Sequence, residues 1–317
     1  MSCRIVFLGM AGGFSAPPLL ALLGSEFEVV GVVVPRPSGV ADAPPVRVVA
    51  PPLRPRRALQ VRGNPPAANA AALAWAAGVP VLEVAALSDP VTLPALAALA
   101  ALRPDVLCVA CFPARVHARV LALAPLGGLN LHPSLLPEYR GPAPLFWLFH
   151  DGLERAGVTV HRMTGQIDSG PIVAQTAVRL PDGITYQAAE DLCAEEGGRL
   201  LVTALRRIVA DPGAGQPQVG IGLPAPSPQE SDFHLTPEWS ARRGFNFIRG
   251  MAGWGEPLML AAEGRRYQIA QALAFDERGT QPMHILSEGR QARVRCSPGI
   301  LYLEISETPV DFLDWRL

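Results

Sequence analysis

The chain has 317 residues, 49% of them hydrophobic, which is enough for one large domain and a smaller one with buried cores. Its formal net charge of −1 provides no overall field for nucleic acid, membrane surfaces or acidic proteins, so any polyanionic partner must be bound through local contacts. The apolar stretches are too short to span a membrane and the first residues lack the pattern of a secretory signal, so we expect a cytoplasmic protein.

The first half alternates β-branched runs with helical stretches rich in alanine and leucine. This pattern is typical of an α/β fold with a Rossmann-like, mostly parallel sheet and covering helices. The predicted strands are 5–8, 29–34, 79–82, 106–110 and 127–131. The predicted helices are 15–23, 67–77, 92–101 and 113–123.

Residues 35–66, after the second strand, contain nine prolines, which predict an extended surface loop rather than a packed element. Against the single acid Asp42, the loop carries Arg36, Arg47, Arg54, Arg56, Arg57 and Arg62. This local basic patch is either a solvated loop or a contact surface for a phosphate backbone.

The second half begins with predicted strands at 158–163 and 172–178 and a long helix over 185–210 that Thr185 can cap. We expect a catalytic domain over 1–210, a linker rich in proline and glycine over 211–228, and a carboxy-terminal domain over 229–317. This last part shows a helix near 237–249 and short strands near 257–262, 266–274, 281–287, 291–296 and 300–304, which suggest a small β-barrel.

The five cysteines are an odd number without the framework of a small disulfide-rich domain, and they fit a reducing compartment. Cys108 and Cys111 have C-x-x-C spacing at the end of an apolar run. No second pair completes a zinc site, so we expect buried, inert thiols and no metal.

Polar side chains follow two of the predicted strands. Asn130 and His132 point to the same side of an extended chain because side chains alternate with a period of two. They lie at the carboxyl end of a strand, where open α/β sheets bind their ligands, and the turn around Asp168 would bring a carboxylate to the same edge. We expect these three side chains to form one site.

Acyl transfer to an amine needs a donor for the developing oxyanion and a route for the proton that leaves the amine. Asn130 can donate to the oxyanion, and His132 can take the proton or add positive charge beside the oxyanion. Asp168 can orient His132 and hold a water. Each residue alone also has an ordinary structural explanation, as a hydrogen-bonding histidine or a turn aspartate.

The run from Asn130 and His132 through Ser134 to Pro137, followed by Arg140-Gly141 and by Ile167 to Gly170, resembles the signature of the 10-formyltetrahydrofolate-dependent formyltransferases. This resemblance implies that Asn130, His132 and Asp168 are catalytic and that 10-formyltetrahydrofolate is the cosubstrate. It implies a carboxy-terminal OB-like domain over the stretch from Trp239 to Leu303. The two tryptophans Trp239 and Trp254 either stack on bases or pack in the core of that domain.

The resemblance also implies contacts with the two substrates. The residues expected at the folate are Cys108, Val109, Ala110, Cys111, Phe112, Pro113, Ser134, Leu135, Leu136, Pro137, Gln166 and Ile167. The residues expected at the acceptor are Arg36, Arg54, Arg56, Arg57, Gly9, Phe14 and Arg140.

Three hypotheses for function remain open. The resemblance over nearly the whole chain favours the amino group of an aminoacylated tRNA, methionyl-tRNA, as the acceptor. Residues 211–317 contain ten arginines, no lysine and thirteen acidic residues, and this net charge of −3 favours a small amine such as an amino sugar on a nucleotide. The third hypothesis is a folate-binding or regulatory homologue without turnover, which an intact set of Asn130, His132 and Asp168 disfavours.

Overall fold

The structure is a computed structural model that describes residues 2–10, 12–36, 44–51, 69–85, 87, 92–152, 156–280, 285–306 and 310–311. The chain divides into two compact units. The first comprises Met1–Arg140, Gly157–Val178 and Glu190–Leu223, and the second comprises Gly141–Ala156, Arg179–Ala189 and Pro224–Leu317. The predicted domain boundaries at 210 and 228 remain a prediction.

An eight-stranded sheet forms the centre of the first unit. Its strands are β1 (Arg4–Gly9), β2 (Glu28–Pro35), β3 (Val46–Val49), β4 (Val81–Val84), β5 (Val106–Ala110), β6 (Gly128–His132), β7 (Gly157–Arg162) and β8 (Ile172–Ala177). Their order is β3-β4-β2-β1-β5-β6-β7-β8. The pairs within β4-β2-β1-β5-β6 are parallel, whereas β3, β7 and β8 pair antiparallel. The predicted mostly parallel α/β sheet is confirmed.

Short helices follow several of these strands. They are α1 (Ala16–Leu23), α2 (Ala70–Ala76), α3 (Leu93–Ala101) and α4 (Ala118–Leu121). Side chains of Asn69 and Thr92 cap α2 and α3 by accepting from the backbone N–H groups three residues later. A later helix, α6 (Tyr186–Ala210), begins in the second unit and continues into the first. Thr185 caps it as predicted, because its hydroxyl accepts from the N–H of Ala188 at 3.3 Å.

The predicted helix over 113–123 is wrong in length, since only α4 is helical there. His117 has an extended backbone, with φ −66° and ψ 147°, and its Nδ1 accepts from the N–H of Arg119 at 3.1 Å. This side chain caps the helix at its first turn, so the residues before it cannot continue the same helix.

The predicted extended surface loop over 35–66 contains a strand, β3, which pairs antiparallel with β4 and whose two central residues are exposed. Three of its four residues are valines, which suit a strand, and Arg47 binds the buried carboxylate of Glu83 on β4 at 2.8 Å. Arg36 binds the same carboxylate at 3.4 Å. This ion pair with two arginines holds the sheet edge, and it was not predicted. Residues 37–43 and 52–66 of the loop lie outside the described residues.

The second unit contains α5 (Pro144–His150), α7 (Ala241–Met251) and a second sheet. The sheet strands are β9 (His234–Leu235), β10 (Leu258–Ala262), β11 (Arg265–Asp276), β12 (Ile285–Glu288), β13 (Gln291–Arg295), β14 (Ile300–Ile305) and β15 (Val310–Asp311). Their order is β12-β13-β14-β11-β10-β9, and β15 also pairs with β11. In the part of the chain that the structure describes, no pairing joins β12 to β9, so the expected closed barrel stays a prediction.

Aromatic side chains fill the core of the second unit around α5 and α7. Phe146 lies 5.3 Å from Trp147 and 5.2 Å from Trp254, measured between ring centroids. Trp239 packs 5.3 Å from Phe247. The two tryptophans for which base stacking was an alternative therefore pack against this core. Among the described residues, no helix is both long and apolar enough to cross a membrane.

Candidate functional site

Asn130 and His132 lie at the carboxyl end of β6, where the strand meets the loop that ends at Arg140. The alternation of the strand puts both side chains on one side, as predicted. Leu129 and Leu131 before and between them are buried, so the strand is held by apolar packing on the opposite side. The sequence places a carboxamide and an imidazole together on a firmly packed element.

Asp168 lies in the turn between β7 and β8 and has a left-handed backbone, with φ 49°. A non-glycine residue rarely adopts this conformation unless its surroundings hold it. Gly170 makes the turn tight, because a Cβ atom there would lie 1.8 Å from the carbonyl oxygen of Arg162. This close return of the chain directs the Asp168 carboxylate to the end of β6.

The three predicted catalytic side chains meet at this edge of the first unit. Asn130 Nδ2 lies 3.4 Å from Asp168 Oδ1, and His132 Nδ1 lies 3.6 Å from Asp168 Oδ2. The side chains of His132 and Asp168 are 6% and 10% exposed, so the site is largely screened from water. The fold thus brings Asn130 and Asp168, which are 38 positions apart in the sequence, within hydrogen-bonding range.

The two ring nitrogens of His132 have different partners. Nε2 lies 2.8 Å from the carbonyl oxygen of Tyr139, which can only accept, so Nε2 carries a proton. The neutral ring therefore presents a lone pair at Nδ1 towards Asp168. Burial lowers the pKa of His132, and the charge of Asp168 and the bond to Tyr139 oppose this effect without cancelling it. His132 is accordingly a neutral base at neutral pH.

A fourth polar side chain, His161 of β7, was not predicted. β7 pairs with β6 so that His161 lies opposite Asn130, and its Nε2 lies 3.1 Å from Asn130 Nδ2 and 3.5 Å from Asp168 Oδ1. Its Nδ1 donates to the carbonyl oxygen of Arg162 at 2.9 Å, which leaves Nε2 to accept from Asn130. Every residue of β7 from Gly157 to His161 is buried, so the alternation of the strand does not single out His161. The register that places it opposite Asn130 cannot be read from the sequence.

Comparison with known proteins identifies relatives of this chain. Residues 60–205 match the family described as formyl transferase. A methionyl-tRNA formyltransferase of Pelotomaculum thermopropionicum is 30% identical over 92% of this chain and 86% of that protein. This chain belongs to the formyltransferase family. A second relative, a methionyl-tRNA formyltransferase of Roseiflexus sp., is 42% identical over 57% of this chain and 49% of that protein.

The fold of this formyltransferase is also found in a solved structure. An N-formyltransferase from Helicobacter canadensis, in complex with folinic acid and dTDP-3-aminofucose, aligns with a TM-score of 0.65 over 97% of this chain and 100% of that one. At 14% identity the likeness concerns the fold. The protein is accordingly an enzyme of this family, a formyltransferase.

The residues of this formyltransferase that are expected at the folate lie on three segments of the first unit. Cys108, Val109 and Ala110 form the buried end of β5, and Cys111, Phe112 and Pro113 continue beyond it, with Cys111 in a left-handed conformation at φ 56°. Ser134, Leu135, Leu136 and Pro137 follow His132, and Gln166 and Ile167 precede Asp168. All three segments extend from strand ends at or beside β6.

The loop after His132 is fixed by hydrogen bonds. Thr159 Oγ1 donates to the carbonyl oxygen of Ser134 at 2.6 Å and accepts from the N–H of Leu136 at 3.1 Å. Gln175 Nε2 binds the Leu136 carbonyl oxygen at 2.9 Å. These bonds fix the conformation of the loop beside the site.

The residues expected at the acceptor are not equally placed to bind it. Gly9 ends β1, and the side chain of Phe14 is buried, so any acceptor contact of Phe14 is limited to its backbone. Arg36 is engaged by Glu83, as described above. Arg140 binds Gln218 through Nε at 3.1 Å and Nη2 at 2.6 Å. Arg54, Arg56 and Arg57 lie outside the described residues.

The cysteines do not form a reactive pair. Burial raises the pKa of the Cys108 thiol far above its ordinary value, so this thiol stays protonated. Over the described residues, no group of three or more His, Cys, Asp or Glu side chains is arranged to hold a metal ion.

Proposed function

We propose that this formyltransferase transfers the formyl group of 10-formyltetrahydrofolate to the amino group of methionyl-tRNA. The observation that carries the chemistry is the cluster of Asn130, His132 and Asp168 at the end of β6, in which Asp168 lies 3.4 Å from Asn130 and 3.6 Å from His132. The match to a methionyl-tRNA formyltransferase over 86% of its length supports the acceptor.

His132 and Asp168 would manage the proton in this reaction. When the amine attacks the formyl carbon, its nitrogen must lose a proton, and His132 Nδ1 is the ring nitrogen that can take it, because Nε2 already donates to Tyr139. Asp168, 3.6 Å away, would then stabilise the imidazolium. The proton finally replaces the formyl group on the folate nitrogen, so the reaction is balanced without a redox partner.

Asn130 would stabilise the charge that develops on the formyl oxygen. Its amide nitrogen donates to His161 at 3.1 Å and to Asp168 at 3.4 Å. The longer bond, to Asp168, is the one that the formyl oxygen would replace. The bond to His161 would keep the amide oriented during this exchange.

The chemistry of the neighbouring segments fits a folate. Ile167 is 63% exposed beside Asp168, and an uncovered apolar side chain next to buried polar groups suits a flat ring that carries polar edges. Backbone groups after β5 and β6 would bind those edges. When bound, the folate supplies the formyl carbon, and the protein residues orient it and exclude water.

The second unit and the basic loop would bind the tRNA. We propose an OB-like fold for the second unit, a domain boundary within 211–228 and a cytoplasmic location, where charged tRNA is found. The net charge of −3 over residues 211–317 instead supports the second candidate, a small amine on a nucleotide. If the acceptor is methionyl-tRNA, arginines of the loop 35–66 would have to supply the phosphate contacts.

Turnover with a panel of acceptors separates the two candidates. Purified protein and 10-formyltetrahydrofolate are incubated with methionyl-initiator tRNA, with the same tRNA uncharged, and with nucleotide-linked amino sugars, while release of tetrahydrofolate is followed. We expect turnover that requires the charged tRNA. Turnover with an amino sugar and none with charged tRNA would show that methionyl-tRNA is not the acceptor.

A further inference from the structure

A segment of the first unit, residues 212–223, runs across the loops that hold the site, and we name it the strap. Arg162 fastens its start through bonds to the carbonyl oxygens of Pro212 at 2.6 Å and Ala214 at 2.8 Å. Gln216 exchanges two backbone hydrogen bonds with Ile172 at the start of β8, at 2.8 and 2.9 Å. The stretch expected to be part of a linker is thus an ordered component of the first unit.

The far end of the strap binds the loop after His132. The N–H of Tyr139 donates to the carbonyl oxygen of Leu223 at 2.6 Å, and the N–H of Leu223 donates to Glu138 Oε2 at 2.8 Å. Gly222 approaches this loop so closely that a Cβ atom would lie 2.0 Å from the carbonyl oxygen of Pro137. The strap therefore joins the Asp168 turn to the loop whose Tyr139 carbonyl binds His132.

Gln218 lies between these two attachments and uses its whole side-chain amide. Nε2 donates to the carbonyl oxygens of Asp168 and Gly170, each at 2.8 Å. Oε1 accepts from Nε and Nη2 of Arg140 at 3.1 and 2.6 Å. The reverse orientation would put the NH₂ against a guanidinium and the oxygen against two carbonyls, so Arg140 fixes which way the amide points.

The bonds from Gln218 act on a turn that needs support. Asp168 has φ 49°, which costs energy for a residue with a side chain, and its carboxylate reaches Asn130, His132 and His161 at distances of 3.4, 3.6 and 3.5 Å. Asn130 Nδ2 is the donor among these three groups, and its 3.4 Å bond to the carboxylate is already near the limit of hydrogen bonding, so a displacement of about 1 Å would break it and cost about 100-fold in rate.

We propose that Gln218 is a positioning residue for formyl transfer: it fixes the Asp168 turn, and Arg140 orients its amide. The proposal rests on the catalytic role given to Asp168 under the proposed function. It also gives Arg140 a role within the site, in place of a contact with the acceptor.

The test compares Gln218→Leu, which removes all four bonds at similar volume, with Gln218→Glu, which keeps the acceptor for Arg140 but loses both donors to the turn. Both variants are expected to lower kcat about 100-fold and to leave KM for either substrate within about twofold. The matched control is Ile221→Ala on the same strap. Ile221 is 91% exposed, and the variant should retain wild-type kcat.

The titration of His132, followed by NMR, supplies a readout that does not depend on turnover. Burial is the main cause that lowers the pKa of His132, and the charge of Asp168 raises it. If the Asp168 turn moves away from His132 in Gln218→Leu, the midpoint of the His132 titration shifts to lower pH. The midpoint of thermal unfolding should stay near that of Ile221→Ala. An unchanged midpoint together with wild-type kcat would overturn the proposal.

Arg140→Met and the double variant Arg140→Met/Gln218→Leu test the second half of the proposal. If Arg140 acts through Gln218, the double variant is no slower than Gln218→Leu alone. Additive losses, or a rise in KM for the acceptor in Arg140→Met, would overturn this part and return Arg140 to acceptor binding. If the wild-type protein shows no turnover with methionyl-tRNA, this result would instead count against the proposed function. The variants are then compared by the His132 titration, which does not depend on turnover.

Discussion

At the residue scale, the imidazole of His132 has one nitrogen bound to a carbonyl and the other facing a carboxylate across 3.6 Å. This arrangement assigns the tautomer and identifies Nδ1 as the nitrogen that can exchange a proton with a substrate. Sequence alternation predicted that Asn130 and His132 share one side. It did not predict the partners of either ring nitrogen, since the Tyr139 carbonyl is oriented by the loop.

The lowered pKa of His132 predicts the pH dependence of formyl transfer. Because the neutral ring is the base and burial favours the neutral form, activity is retained as the pH falls and is lost only through the lowered pKa. We expect the acid limb of kcat to have its midpoint below about pH 6.5, the ordinary value for histidine.

A pH profile of kcat measures this limb, and His132→Gln assigns the corresponding NMR resonance by its disappearance. Asp168→Asn should move the His132 midpoint to still lower pH, because it removes the negative charge that favours the imidazolium. A midpoint above the ordinary value would contradict the role of a buried neutral base.

At the element scale, the turn between β7 and β8 contains two glycines with different surroundings. A Cβ atom at Gly170 would collide with the Arg162 carbonyl oxygen, whereas nothing lies within 4 Å of the corresponding position at Gly165. We expect Gly170→Ala to reduce the free energy of unfolding by about 2 kcal/mol and formyl transfer by at least about tenfold, as the turn is pushed away.

Gly165→Ala is the matched control. It should change the free energy of unfolding by less than about 0.5 kcal/mol and leave kcat unchanged. Urea unfolding and steady-state kinetics on both variants decide the question. Equal behaviour of the two variants would mean that the close approach at Gly170 does not position Asp168.

The edge of the sheet depends on a buried charge. Glu83 of β4 is bound by Arg47 of β3 and by Arg36, and the bonds from Arg47 chiefly lower the pKa of Glu83. Glu83→Gln leaves these arginines without their counter-charge, and we expect it to lower the free energy of unfolding by about 3 kcal/mol. The control is Glu196→Gln, which removes one partner of the exposed ion pair with Arg199. It should lower the free energy of unfolding by less than about 0.5 kcal/mol.

The effect of Glu83→Gln should depend on pH. A carboxylate with a lowered folded-state pKa stabilises the protein above its unfolded pKa, and this contribution is lost as the pH falls through the folded value. Urea unfolding should therefore show a large difference between wild type and Glu83→Gln at about pH 7 that shrinks below about pH 4. A difference that persists undiminished in acid would show that packing, not charge, is the cause.

At the scale of the whole molecule, a net charge of −1 means that tRNA must be bound by a local set of arginines. Replacing Arg54, Arg56 and Arg57 by serine should weaken binding of methionyl-tRNA. It should also reduce the slope of log K against log salt by about one for each phosphate that the loop no longer binds. Filter binding over a salt series measures both quantities.

The matched control removes three arginines that form ion pairs on the surface of the first unit, Arg4, Arg199 and Arg206, and should leave the slope unchanged. Equal losses in the two triple variants would indicate a general charge effect. An unchanged slope in the loop variant would show that the loop does not contact phosphate.

The sequence by itself determined the alternating strands and helices of the first unit, because their apolar patterns have the periods of buried strands and covering helices. It also determined that Asn130 and His132 share a side. The tertiary structure decided which distant residues join them: strand register places His161 opposite Asn130, and the strap brings Gln218 to Asp168 from 50 residues away. Local periodicity carries no information about register between strands or about where a segment rich in proline and glycine returns, because both depend on contacts that form only in the folded chain.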